Sequence, residues 1–207
     1  MATVSLDIAS IVPSTRDFLQ AIATRRKRLA LVPLVQGADD ASALAQAGVD
    51  AFAVLAPNDG MRAVSAAIGS LPLISLRPIA TEVDALTARA AGADAVVVAT
   101  GFDRDTWEAI AKHARTTRMV ALATVSNRAS ADLCAAVMAR GAYLPVETIS
   151  EMRSLLSLLG SVRVLAHLPS VDETMLRALR GIVDAAIVDS DLYLSTSFES
   201  LREELEA

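Results

Sequence analysis

His167 is one of two histidines in the chain, and it stands one strand–helix unit away from each of two acids, Glu147 and Asp189. All three follow directly on short apolar runs. A carboxylate beside an imidazole sets its tautomer and raises its pKa, the usual arrangement for proton transfer near neutral pH. Arg77 also follows an apolar run and could hold a carboxylate bidentately. Thr124 and Ser190 sit at equivalent places. The residues therefore suggest acid–base work by His167 with Glu147 or Asp189, and ligand contacts from Arg77, Thr124 and Ser190. Each also has a structural reading. A lone histidine among apolar neighbours can be a hydrogen-bonded structural residue, and Glu147 can favour a helix start. Asp189-Ser190-Asp191 can cap a turn, and Arg77 can form a salt bridge. The functional reading rests on convergence, because strand-end residues of a barrel face one shared space. No metal-ligand spacing and no glycine-rich nucleotide loop is present, so no metal and no cofactor are expected.

The elements that must position these residues are legible as eight apolar runs, at 29–35, 51–55, 71–76, 95–99, 120–125, 143–146, 162–166 and 185–188. They are rich in Val, Ile and Leu without strict alternation, as strands buried on both faces should be. Stretches of helical length separate them. One phrase recurs at the junctions: Ala47-Gly48-Val49-Asp50-Ala51, Ala91-Gly92-Ala93-Asp94-Ala95, and more weakly Gly181-Ile182-Val183-Asp184-Ala185. Each reads as a helix end, a tight turn and a buried strand. Hydroxyl residues followed by an acid at Thr148–Glu151, Ser170–Glu173 and Thr196–Glu199 read as capping boxes. A further helix begins near Pro13, ahead of the first strand, and the last runs from about residue 196 to 206. The expected fold is a (βα)8 TIM barrel with an extra N-terminal helix, one domain over residues 1–207. Pro33 and Pro145 fall inside two strands, in tension with a barrel that has no free edge.

The net charge of −5 argues against nucleic acid as a partner. Arg25-Arg26-Lys27-Arg28, the one basic run, reads as a solvated helix end. Cys134, the only cysteine, reads as a small buried residue. His113 reads as a solvated helical residue, and Trp107 as an anchor for its helix. No apolar run approaches the ~20 residues needed to span a bilayer. The first residues lack a basic stretch leading into an apolar one. A cytoplasmic protein without a membrane partner is the expectation.

Leu71-Pro72-Leu73-Ile74-Ser75-Leu76-Arg77, with Leu86-Thr87-Ala88-Arg89-Ala90-Ala91-Gly92-Ala93-Asp94-Ala95, resembles the "LPVLRKDF … EARAAGADA" of indole-3-glycerol phosphate synthase, a tryptophan-pathway barrel. Asp184-Ala185-Ala186-Ile187-Val188-Asp189-Ser190 is similar to that family's "VDAVLIGES". The resemblance implies the barrel fold but not the chemistry. The family's first-strand "AEVK" falls on Val32-Pro33-Leu34-Val35, its general-acid lysine on Leu76 and its general-base glutamate on Thr124. Its phosphate-gripping glycines fall on Leu168 and Asp189, where a carboxylate would repel phosphate. Only two lysines exist, Lys27 and Lys112, neither placed to reach the strand C-terminal ends.

Synthase activity is therefore expected to be absent. The leading expectation is a catalytically degenerate barrel that binds a small-molecule ligand or a protein partner. The alternative is a repurposed lyase, isomerase or cyclase using His167 with Glu147 or Asp189 on a small anionic or apolar substrate. A third reading is a structural subunit of another biosynthetic enzyme. The oligomeric state is left open.

Overall fold

Apolar strands without polar alternation must be covered on both faces. In the computed structural model, which describes residues 11–23, 28–169, 171–195 and 199–206, eight such strands close on themselves. They are β1 (Ala30–Val35), β2 (Phe52–Val54), β3 (Leu73–Ile79), β4 (Ala95–Val98), β5 (Val120–Thr124), β6 (Gly141–Pro145), β7 (Arg163–His167) and β8 (Ala185–Asp189). They pair in parallel in chain order, and β8 returns to β1 with Ala30 opposite Ala185 and Leu34 opposite Asp189. After β1 to β7 come α2 (Ala38–Gln46), α3 (Asn58–Ala67), α4 (Glu82–Ala90), α5 (Arg104–Thr116), α6 (Arg128–Ala136), α7 (Ile149–Leu159) and α8 (Glu173–Leu179). Two helices, α9 (Ser190–Leu194) and α10 (Glu199–Glu206), follow β8. This is the (βα)8 barrel that the eight runs predict.

Strand parity separates two cores. Ala30, Val32, Ile74, Leu76, Ala95, Val97, Val120, Leu122, Tyr143, Leu165, Ala185 and Ile187 fill the barrel. The opposite parity packs under the helices, with Leu31, Val54, Val96, Ala121, Leu144 and Val164 meeting Leu44, Val64, Ile110 and Leu155. The helix expected from about residue 13 is reduced to α1 (Phe18–Ala21), started by Asp17, whose carboxylate accepts from the Gln20 amide at 3.0 Å. Its Phe18 and Leu19, with Ile22 behind them, join the inner cluster and plug the floor of the barrel. Gly141 makes room for that plug: a Cβ there would lie 3.2 Å from Leu19 Cδ2 and 3.3 Å from Leu122 Cγ.

Both prolines lie within strands. Pro33 is buried opposite Val188, and Pro145 ends β6 opposite His167. Each residue of a parallel strand bonds toward one neighbour only, so each proline removes a single ladder bond. A third, Pro78, sits where β3 bulges: Ser75 faces Val96, yet Val98 faces Ile79 rather than Arg77.

Helix starts follow the expected chemistry with different details. Thr148 caps α7 through the Glu151 amide (3.1 Å), but Glu151 reaches back to the Glu147 amide (3.2 Å) rather than to Thr148. α8 is capped by Asp172. Ser170 and Thr196 lie outside the described residues, as do Arg25, Arg26 and Lys27. Reciprocal boxes occur instead at Thr81/Asp84 and Asn127/Ser130. His113 is not simply solvated: its Nδ1 lies 3.1 Å from Glu82 Oε2 and 3.0 Å from the Ala109 carbonyl. Cys134 is buried, and burial pushes its thiol up to about 11.

The recurring aspartate works at the floor. Asp94 is fully buried and accepts from Ser14 Oγ (2.6 Å), Arg16 Nε (2.7 Å), an Arg89 terminal nitrogen (2.7 Å) and the Leu73 amide (2.9 Å). Asp184 accepts from Arg163 (2.9 Å) and the Val164 amide (3.0 Å). Each carboxylate thus holds the first amide region of the preceding strand, tying neighbouring βα units together. Asp50 pairs, among the described residues, with Arg28 at 3.3 Å, and both side chains are about a third exposed. Among the described residues no helix is long and apolar enough to cross a membrane.

Candidate active site at the barrel mouth

Parity decides which strand-end side chains look into the mouth. On β1 and β3 the inward residues are Leu34 and Leu76, both part of the inner apolar cluster. On β6 to β8 the inward positions run through Tyr143, His167 and Asp189. The mouth therefore has an apolar side and a polar side.

The polar side is organised by one short hydrogen bond. Tyr143 Oη lies 2.6 Å from His167 Nδ1, with the two rings 5.9 Å apart and tilted by 45°. β6 and β7 hold the pair in register, Tyr143 beside Leu165 and Pro145 beside His167. Burial pushes the Tyr143 hydroxyl up to about 12, so it keeps its proton. Burial also lowers His167 below its ordinary value of 6.5, against the raising charge of Asp189. Burial thus favours the neutral imidazole. The contact fits two tautomers, and in the one where Tyr143 donates to Nδ1 the ring proton resides on Nε2. In that arrangement a neutral imidazole presents an N–H, beside a carboxylate whose charge acts on it.

The remaining sequence-derived residues are distributed around the rim. Asp189 is exposed at the end of β8 and precedes α9, while Ser190 is buried in the first turn of that helix. Glu147 is exposed just ahead of α7, and it is Asp189, rather than Glu147, whose charge acts on His167. Thr124 is half-buried, and its hydroxyl donates to the Val98 carbonyl at 2.6 Å. It lines a cleft of about 250 Å³ with Thr100, Trp107, Asn127 and Ser130, between the ends of β4 and β5 and the helices α5 and α6. Arg77 is exposed on the β3 bulge and lines a small cleft with Asn58 and Met61 of α3 and Asp84 and Thr87 of α4. The structure does not bring it to His167. Among the described residues no cluster of three His, Cys, Asp or Glu could hold a metal ion.

Sequence reasoning missed Tyr143. It was legible only as a strand residue, yet it is a hydroxyl-bearing side chain at the parity that faces inward, one strand from His167. That combination is the signal that points to it.

No protein-family model and no curated protein sequence matches the chain. Its structure is similar to many solved barrels. One is a 4-hydroxy-2-oxoglutarate/2-dehydro-3-deoxyphosphogluconate aldolase, 22% identical, with 92% of this chain and 96% of that chain covered at a TM-score of 0.67. Another is 3-hexulose-6-phosphate synthase, at 18% identity, 86% and 98% coverage and a TM-score of 0.65. A third is 2,3-dimethylmalate lyase of the PEP mutase/isocitrate lyase superfamily, at 15% identity, 89% and 83% coverage and a TM-score of 0.63. These likenesses show the fold. They overturn the resemblance to indole-3-glycerol phosphate synthase, since the neighbours are aldolase, hexulose-phosphate synthase and PEP mutase/isocitrate lyase barrels. The physical reason lies at the floor. The Ala-Gly-Ala-Asp-Ala phrase that carried the resemblance builds a turn and a strand clamp, which serve a βα barrel whatever its reaction.

Proposed function

We propose that the chain is a lyase-type barrel that makes or breaks a bond next to a carbonyl in a small, unphosphorylated substrate. The observation that carries this reading is the 2.6 Å Tyr143–His167 hydrogen bond at the mouth. Cleavage or proton loss next to a carbonyl moves an electron pair onto the carbonyl oxygen. A neutral imidazole presenting Nε2–H donates to that oxygen as charge develops. Asp189, exposed beside it, accepts the substrate proton and returns it to carbon. Tyr143 is a positioning residue: it fixes the tautomer. The lyase and aldolase barrels among the structural neighbours support the reaction class in general kind.

Substrate charge follows from the rim. Arg77 is turned away and Asp189 is turned in, so a phosphate or a second carboxylate placed ~4 Å from Asp189 would cost on the order of 4 kcal/mol at surface-like dielectric. Leu34 and Leu76 suit an aliphatic body. The substrate class is a short, uncharged hydroxy-ketone or hydroxy-aldehyde.

The test is proton NMR of such compounds in D2O with purified protein, reading both cleavage products and deuterium uptake next to the carbonyl. His167→Ala should abolish either signal, and Tyr143→Phe should lower kcat while leaving KM nearly unchanged. Turnover that survives His167→Ala would refute the mechanism. Saturable binding without exchange or cleavage would instead favour a ligand-binding barrel.

A further inference from the structure

The face opposite the mouth carries a cleft of about 420 Å³, lined by Ser14, Thr15, Arg16, Asp17, Arg115, Arg118, Met119, Val120 and Arg140. Its size falls within the roughly 300–1,000 Å³ of ligand sites. Four arginines surround it on a chain whose net charge is −5. Arg16 is held by Asp94, which it shares with Arg89. Among the described residues, Arg115, Arg118 and Arg140 make no salt bridge. Asp17 is the one acid in the lining, and its carboxylate is engaged by the Gln20 amide. Three exposed guanidinium groups thus share one cleft with a single carboxylate, that of Asp17.

A second observation concerns the backbone. The turn after α5 is closed by Arg118 N–H to the Arg115 carbonyl (2.9 Å) and Met119 N–H to the Ala114 carbonyl (2.8 Å). The turn after α4 uses the same pair of bonds, from Gly92 to Arg89 (2.8 Å) and from Ala93 to Ala88 (3.0 Å). Its left-handed residue is glycine, with φ of 103°. At the matching position after α5 the left-handed residue is Arg118, with φ of 55°. The other junction phrases also use glycine here, Gly48 at φ 83° and Gly181 at φ 80°. Met138 after α6 takes the same place, with φ of 50° and the same pair of bonds, so two of these turns carry an exposed side chain where glycine would fit without strain.

We propose that this basal cleft binds a multiply charged phosphate compound of the diphosphate type, gripped by Arg115, Arg118 and Arg140. Planar guanidinium forks match phosphate oxygens, and several of them suit adjacent phosphates better than a single anion. The site lies at the opposite end of the barrel from His167 and does not depend on the chemistry assigned there. A ligand in this cleft meets Arg16, one arm of the Arg16–Asp94–Arg89 clamp, and so acts on the floor of the barrel rather than on the reacting atoms.

The probe is inorganic pyrophosphate, titrated calorimetrically into the whole chain at low and high NaCl. Saturable one-to-one binding that weakens with salt is expected. Arg118→Gly should weaken it about tenfold, the worth of one charged hydrogen bond, while the variant melts no lower than the parent. Arg115→Ser/Arg118→Gly/Arg140→Ser should remove it. Arg77→Ser, at the other end, should bind as the parent does. Absence of saturable binding at millimolar pyrophosphate would overturn the proposal. So would binding that survives the triple variant, or binding lost in Arg77→Ser. If Arg118→Gly melts well below the parent, the arginine is there for stability and the assignment fails.

Discussion

One junction phrase occurs three times in this chain, yet the structure assigns its aspartates very different energetic weights. Asp94 takes four donors in full burial, two of them guanidinium groups that are themselves mostly covered. In Asp94→Asn the side chain keeps its shape, but an NH2 group must face Arg16 Nε and the Leu73 amide, donor against donor. The two arginines also lose their counter-charge. Breaking a buried pair in this way costs about 3–5 kcal/mol, and for a chain of this length each kcal/mol shifts Tm by roughly 2–4 °C. The expected loss is thus about 6–20 °C. Asp184→Asn removes the charge that Arg163 and the Val164 amide meet, and Arg163 is a third exposed. About 1.5–3 kcal/mol is expected, the worth of a hydrogen bond to a charged group. Asp50→Asn removes a pair to Arg28 that is about a third exposed and should cost about 0–1 kcal/mol. Urea and thermal unfolding of the three variants, measured side by side, give the ranking directly. Equal losses at Asp50 and Asp94, or a loss at Asp94 under 1 kcal/mol, would refute the floor-clamp argument.

His167 should titrate below 6.5 in an NMR pH series, because burial disfavours its charged form. Asp189→Asn, which removes the raising charge, should push it lower still. The folded imidazole binds its proton less readily than the unfolded one. Stability is therefore unaffected above about pH 6.5 and falls as pH drops from there toward the lowered pKa. His167→Gln should flatten that slope, and an unchanged pH profile would contradict it. Gly141→Ala should cost about 1–3 kcal/mol by overpacking against Leu19 and Leu122. Leu19→Val in the same chain should recover part of the loss, and no recovery would mean that the floor plug is not the obstacle.

What the sequence by itself determined is local and periodic. Eight apolar runs separated by helix-length stretches, with turn phrases between them, define eight βα units, because strand burial and turn conformation are imposed by neighbouring residues. The closed barrel follows from their number. His167 and Asp189 were legible as residues ending β7 and β8, since the end of an apolar run marks the end of a strand.

Tertiary structure decided everything that depends on phase and closure. Arg77 has the outward parity of β3, next to the inward Leu76, and so meets α3 and α4, although in sequence it is a strand-end residue like His167. Tyr143 meets His167 only because β6 and β7 lie in one register, a relation set by hydrogen bonding between strands and not by any local pattern. Arg118 and Arg140 share a cleft because two adjacent strands begin at the same floor. The likeness to a synthase arose from residues that build turns and clamps. Such residues report how a chain is held together, whereas its chemistry depends on which side chains the closed barrel turns toward one another.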